Sequence, residues 1–248
     1  MKACCVALAT IVVMMTAAPM GNAADATVGA DVNSAYVWRG VTVNDDAVLQ
    51  PSIDVTHSSG WGVNVWGNWD IGDNNGALAD DKEFSEVDFT LSYGIPAGTV
   101  PIDVDLTIGN ITYVFPNGGE ETNELFLNIG KSVELGVPLD VGVNLYWDWD
   151  QVDDIYADVT VGHSHAASDQ LSIGLNGVLG YAGSDFAAAY GGTDSGLFNW
   201  EVSVSLDYAL QDNLGLSGFV AYTDSADDAV LPEQETDIYG GVGAHYSW

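Results

Sequence analysis

Basic residues are almost missing from this chain. Over 248 residues, 4 Lys plus Arg stand against 36 Asp plus Glu, for a formal charge of −32. Nucleic acid is therefore not an expected partner, because phosphates are neutralised by clustered Lys and Arg. Cysteine is scarce too: both cysteines, Cys4 and Cys5, fall in an N-terminal segment with the form of a removable leader. That excludes disulfides, thiol catalysis and cysteine-ligated metals from the exported chain. No stretch after the N-terminal segment approaches the roughly 18 apolar residues of a helical membrane span. There is no Gly-x-Ser-x-Gly elbow, no phosphate-cradling Gly loop and no His-Glu-x-x-His. No catalytic residue, metal site or cofactor is expected.

Met1-Lys2, an uncharged run from Ala3 to Ala18 and small residues around Ala23 and Ala26 have the form of a signal peptide. Residues 1–23 are expected to be removed, by cleavage after Ala23 or after Ala26, leaving the body of the protein over 27–248. Only Arg39, Lys82 and Lys131 then remain as bases.

The body of the chain alternates. In Asn199 to Leu210, Trp200, Val202, Val204, Leu206, Tyr208 and Leu210 interleave with Asn199, Glu201, Ser203, Ser205, Asp207 and Ala209. Side chains on a strand point to opposite faces with period two, so one face is apolar and the other polar. About twelve such segments begin near Thr27, Ala47, Trp61, Glu83, Val100, Thr122, Pro138, Asp153, Gln170, Leu197, Leu214 and Asp237. A slip of phase near Asn110, between Ile108 and Ile111, suggests a bulge.

A soluble sandwich also alternates, but other features favour a membrane barrel. The segments are long enough to cross a bilayer at a tilt. Short connections such as Ser58-Ser59-Gly60 and Gln211-Asp212-Asn213 alternate with longer acidic ones, as in outer-membrane barrels. Apolar-face aromatics gather at strand ends: Tyr36, Trp38, Trp69, Tyr113, Trp147, Trp149, Tyr181, Trp200 and Tyr222 at one end, Trp61, Tyr93, Tyr208, Tyr246 and Trp248 at the other. Interfacial girdles have this form, because amphipathic rings favour headgroup depth. The expected fold is all-β: a single transmembrane antiparallel up-and-down barrel of about 12 strands in the bacterial outer membrane. Its partners are then outer-membrane lipid and small solutes. The last strand, ending on Trp248, is similar to the terminal strands that the barrel assembly machinery reads.

Ser34-Ala35-Tyr36-Val37-Trp38-Arg39-Gly40, Gln50-Pro51-Ser52-Ile53-Asp54, Gly60 and Val65-Trp66-Gly67-Asn68 resemble the opening of the TorF-type porins, a proteobacterial family of unknown function. Glu86-x-Asp88 followed by Tyr93-Gly94 is similar to that family's fourth strand. Thr42-Val43 replaces the family's usual Ser-Gln. The resemblance implies an outer-membrane barrel, a porin without a defined substrate.

If aliphatic side chains face lipid, the inward set includes Asp31, Asp54, Asp70, Glu86, Asp88, Asp103, Asp105, Glu124, Asp140, Asp148, Asp158, Glu201 and Asp207, with Arg39 as the one base among them. Carboxylates lining a narrow passage attract cations and repel anions. The bland alternative is that barrels simply fill their interiors with polar side chains, and that an acidic balance suits a salty habitat or divalent-ion bridging at the cell surface. Arg39 reads as an internal partner for a carboxylate such as Asp54. About twelve strands fall between a filled interior and an open channel, so the lumen is either a narrow pore or blocked by an inward-folded loop, with Gly72 to Lys82 the candidate for such a loop. Asp148 to Asp154 resembles a calcium loop by charge but lacks its glycine. His163 and Ser164 are strand neighbours on opposite faces and cannot act together. A passive, cation-preferring channel is the leading function. The alternative is a structural or adhesive surface barrel with a closed lumen and acidic loops that bind divalent cations. A lipid-modifying enzyme would need a Ser and His together on the apolar face, and no such pair stands out.

Overall fold

The computed structural model describes residues 24–72 and 82–248. The segment expected to be removed, residues 1–23, lies outside them, as does most of the Gly72 to Lys82 loop. Among the described residues the strands are β1 (Ala24–Asn33), β2 (Tyr36–Trp38), β3 (Val41–Asn44), β4 (Val48–His57), β5 (Trp61–Asp70), β6 (Phe84–Ile95), β7 (Asp105–Val114), β8 (Thr122–Glu134), β9 (Pro138–Asp148), β10 (Asp154–Ala166), β11 (Leu171–Ala182), β12 (Gly196–Gln211), β13 (Leu214–Ser225) and β14 (Ile238–Ser247). One short helix, α1 (Ser184–Ala189), interrupts them.

Twelve strands, β1 and β4 to β14, close into an antiparallel barrel. β1 pairs with β4 on one side and β14 on the other, Ala30 facing both Pro51 and Ala244. The Trp248 amide donates to the Ala26 carbonyl at 3.0 Å and the Ala26 amide to the Trp248 carbonyl at 3.2 Å, so the seam is tied to the last residue. The later of the two expected cleavage points, after Ala26, falls inside β1.

Ten of the barrel strands begin within one residue of the positions the alternation gives. β1 starts earlier, at Ala24, and β7 later, at Asp105 rather than near Val100. Pro101 cannot donate to a ladder, and residues 96–104 are a turn closed by the Thr99 amide on the Pro96 carbonyl at 3.1 Å. No bulge sits at Asn110. Both ladders of β7 run through it without a shift, sending Ile108 outward and Ile111 inward beside Glu124. The irregularities lie at Asn68/Trp69, Leu179/Tyr181 and Ala209/Gln211 instead.

The outer wall is apolar and uncovered: Val159, Val202 and Val220 are 56%, 51% and 60% exposed. A soluble monomer rarely leaves such a continuous surface bare. The inside differs between its two ends. Toward the rim that carries Trp248, the inward face is Gly, Ser, Asn, Thr and Asp. Toward the opposite rim, Tyr156, Phe198, Phe186 and Ala187 of α1, and Val230 and Leu231 of the β13–β14 connection form a buried apolar cluster. Each large side chain buried there contributes about 1.5–3 kcal/mol. α1 is capped by Asp154, whose Oδ2 accepts the Asp185 and Phe186 amides at 2.7 and 3.1 Å. Any side chain at Gly183 would strike that carboxylate.

Candidate functional site: a hairpin inside the barrel

The connection from β1 to β4 folds inward. β1 leaves the wall after Asn33, where the Ser34 amide donates to the Gly240 carbonyl at 2.9 Å and the Gly240 amide donates to Ser34 Oγ at 3.1 Å. β2 and β3 then pair only with each other, as a two-stranded sheet separate from the barrel. Arg39 and Gly40 make the turn with φ of 51° and 80°. Positive φ at both central residues is what a tight hairpin turn demands.

Side chains hold this hairpin to the walls. Tyr36 Oη donates to Glu86 Oε2 at 2.9 Å, and Asn44 Nδ2 donates to Asp70 Oδ1 at 2.7 Å. From the β13–β14 connection, Gln234 Oε1 accepts the Thr42 amide at 3.0 Å and the Thr236 amide donates to Thr42 Oγ1 at 3.1 Å. At the tip, Arg39 forms a two-pronged pair with Glu124, NH1 to Oε1 at 2.8 Å and NH2 to Oε2 at 2.7 Å. The guanidinium also lies 4.2 Å from the ring centres of Trp38 and Tyr146 and 4.4 Å from that of Tyr156. Burial is the largest influence and works against its charge, but the Glu124 carboxylate, with Tyr113 and Tyr146 adding to it, raises the Arg39 pKa above its ordinary value. Tyr113 Oη donates to Glu124 Oε2 at 2.8 Å, so the carboxylate is enclosed by donors.

The hairpin partitions the interior. On its far side a cavity of about 480 Å³ is lined by Val41, Tyr113, Glu124, Asp148, Phe186 and Tyr190, among others. On its near side a cavity of about 400 Å³ is lined by Asp31, Asn33, Gln50, Trp66, Asp88 and Tyr239, among others. Tyr36 and Trp38 line both. A third space of about 420 Å³ lies among Asn128, Asp140, Asn144, Thr160, Asn176 and Asp207.

The expected inward carboxylates fall into several settings. Asp70, Glu86, Asp88 and Glu124 gather around the hairpin, each on an inward-pointing phase. Asp54 accepts from Asn64 at 2.8 Å, Asp158 from Asn144 at 2.6 Å, and Glu201 from Tyr239 Oη at 2.6 Å. Asp140 is bonded by Ser132 and shares the third cavity with Asp207. Asp105 opens β7 beside Gly130 at the Trp248 rim. Asp148 is buried and accepts the amides of Asp150, Gln151 and Val152 at 3.0, 3.0 and 3.2 Å. That carboxylate holds its own turn, which accounts for the calcium-like spacing. Among the described residues no three acidic or histidine side chains are grouped as metal ligands.

Three expectations are corrected. Asp103 is not inside: it sits in the β6–β7 connection, paired with Lys131 at 3.1 Å. Trp38, Tyr36 and Tyr113 are not girdle aromatics; Trp38 lies 6.1 Å from Tyr113 and 6.0 Å from Phe186, inside the barrel. Arg39 pairs with Glu124 rather than Asp54. Among the described residues, segment 34–47 folds inward; residues 73–81 of the expected Gly72 to Lys82 loop lie outside them. The other aromatics take outward phases: Trp61 stacks on Tyr93 at 5.1 Å, Trp200 on Tyr222 at 5.3 Å and Tyr246 on Trp248 at 5.9 Å. Trp147, Trp149, Tyr181 and Tyr208 are exposed, and Trp69 follows the same phase.

Sequence reasoning gave no role to the aromatics on the polar phase: Trp66, Tyr146, Tyr156 and Phe219. Their signal was present, since each interrupts a run of small polar residues. One further constellation invites a catalytic reading. His245 Nε2 lies 3.1 Å from Ser217 Oγ and 3.3 Å from Asp31 Oδ1. A nucleophile relay needs the two partners on different ring nitrogens; in this barrel both meet the same one.

A family model described as "Bacterial protein of unknown function (Gcw_chp)" matches residues 18–231. No curated protein matches the sequence. Among solved structures, the KdgM porin is similar with a TM-score of 0.56 at 13% identity, over 90% of this chain and 99% of that one. An outer membrane channel from Pseudomonas putida F1 gives 0.56 at 11% identity, over 93% and 97%. The NanC porin gives 0.51 at 13% identity, over 90% and 98%. At these identities the likeness is one of fold.

Proposed function

This chain belongs to the bacterial family of unknown function Gcw_chp, and we propose that it is an outer-membrane channel for small solutes, preferring cations and narrowed by the β2–β3 hairpin. One observation carries this reading: two cavities inside a closed barrel meet at a side-chain-held hairpin, whose Tyr36 and Trp38 line both. A hairpin of two strands is marginal on its own, so its docking depends on those side chains. The apolar outer wall supports contact with lipid. The tie between Trp248 and Ala26 supports a role for the last strand in assembly. The likeness of the opening residues to TorF-type porins points the same way. The rim with Trp248 is then periplasmic and α1 lies toward the cell exterior.

The cluster around Phe186, Phe198 and Leu231, each 2% exposed or less, favours a second reading, a closed structural barrel. Conductance in planar bilayers separates the two. The native chain is expected to pass small, cation-selective currents, and replacing residues 35–46 by a short Gly-Ser linker to raise them several-fold. Silence from both proteins would sink the channel. Currents without cation selectivity would remove only the ion preference.

A further inference from the structure

The cavity on the periplasmic side of the hairpin is built unlike the rest of the polar interior. Two aromatic pairs contribute to it, Tyr36 against Trp66 at 5.5 Å and Phe219 against Tyr239 at 5.6 Å. These four rings supply π faces, and ring faces attract cations.

Two of its buried acceptor oxygens have no donor. Asp70 is a carboxylate and can only accept, so it fixes the direction of a chain of amides. Asn68 Nδ2 donates to Asp70 Oδ1 at 2.9 Å, Gln50 Nε2 donates to Asn68 Oδ1 at 2.9 Å, and Asn33 Nδ2 donates to Gln50 Oε1 at 2.7 Å. Each amide donates along the chain toward Asp70, Asn68 Nδ2 also donating to Ser85 Oγ at 2.8 Å, and the chain ends on Asn33 Oδ1. Asn33 lines the cavity, is 7% exposed, and that oxygen has no donor. Asp88 Oδ1, on the same cavity, has none either. Asp31 completes the acidic wall, with His245 3.3 Å away. Arg39 is committed to Glu124. Leaving buried acceptors unpaired is costly, and a guest bringing N–H groups and positive charge would supply what they lack.

We infer that this cavity is a binding site for primary ammonium solutes, with the cation held between Asp88 and the ring faces and its N–H groups serving the donorless oxygens. This inference rests on the channel reading for access to the site, but binding and conduction are separable. Calorimetric titration of the detergent-solubilised full-length barrel with n-butylammonium tests it without requiring current to flow. Tetramethylammonium has the same charge and no N–H, and butyrate has the opposite charge. n-Butylammonium is expected to bind and butyrate not to. Tetramethylammonium is expected to bind several-fold more weakly than n-butylammonium. Asp88→Asn should weaken binding about ten-fold, as for the loss of a charge-assisted contact. Trp66→Leu, which leaves every carboxylate in place, should weaken it several-fold. Heat-modifiable gel mobility shows that each variant is a closed barrel. Equal affinity in native chain and Asp88→Asn overturns the site, as does an unchanged affinity in Trp66→Leu. Equal affinity for n-butylammonium and tetramethylammonium overturns the ammonium class. A silent barrel that still binds leaves this inference standing and removes only the channel.

Discussion

Glu124→Gln should unlatch the hairpin while leaving the barrel intact. The change keeps the shape of the side chain and removes the charge facing Arg39. The two side chains are only 10% and 2% exposed, and removing one partner of a buried pair costs about 3–5 kcal/mol, because the other charge is left uncompensated. The rings beside the guanidinium remain, and each cation–ring contact offsets about 0.5–2 kcal/mol, so the lower end of that range applies. At about 1.4 kcal/mol per decade, a loss of about 3 kcal/mol raises the undocked population roughly 100-fold. Trypsin reads this directly, because Arg39 is one of only three basic residues beyond Lys2. Cleavage through a transiently open form tracks the population of that form when reclosing is fast. Cutting after Arg39 should therefore accelerate roughly 100-fold in the variant, while cutting after Lys131, in the wall strand β8, stays unchanged. Equal rates at Arg39 in both proteins would refute the latch.

Alkaline pH should loosen the same hairpin through Tyr36. Burial pushes its phenol well above the ordinary value, with Glu86 and Asp88 adding to the effect. A proton held more tightly in the docked state favours docking fully below the free phenol's pKa of about 10, and that contribution is lost as pH rises through the docked value. Trypsin cutting at Arg39, corrected for the enzyme's own pH profile, should be flat between about pH 7 and 9 and rise only above about 10. Tyr36→Phe should abolish the rise, whereas an onset near neutrality would contradict the assignment. On the outer wall, Val143, 40% exposed in β9, tests contact with hydrocarbon. Val143→Arg should cost about 2–4 kcal/mol in urea titrations of folding into vesicles, and Asn176→Lys on the inner face under about 1 kcal/mol. Similar costs at both positions would mean the outer face does not meet lipid.

The barrel was legible because period-two alternation acts on every strand independently, and a slip of one residue would expose a whole face wrongly. The hairpin was not, and the reason lies in Tyr36 and Trp38. They fall on the outward phase of Val28, Ala30 and Val32, so alternation extends β1 to Trp38. Ser34 is a single polar residue in that phase, too little to record that the chain leaves the wall there. The partner of Arg39 was illegible for a different reason. Glu124 is 85 residues away, across the lumen, and contacts across a lumen obey no sequence spacing. Asp54 was the nearby carboxylate, but on β4 it is met by Asn64. Trp66 was readable in principle, as a large ring on a phase of Gly62, Asn64 and Asn68.

How the interior carboxylates are satisfied decides what the lumen can attract. Asp54 and Asp158 are met by asparagine amides, Glu86 and Glu201 by tyrosine hydroxyls, and Asp70 by Asn44 and Asn68. Neutral donors of this kind satisfy oxygen lone pairs without bringing a compensating positive charge. Glu124 is the exception, and it is where the hairpin tip docks. Among the described residues Arg39 is the one Arg or Lys inside the barrel. The hairpin therefore combines a steric barrier with a local positive charge in an otherwise acidic interior. Displacing it would remove both at once. For that reason a cation should gain more from opening than a neutral solute of the same size.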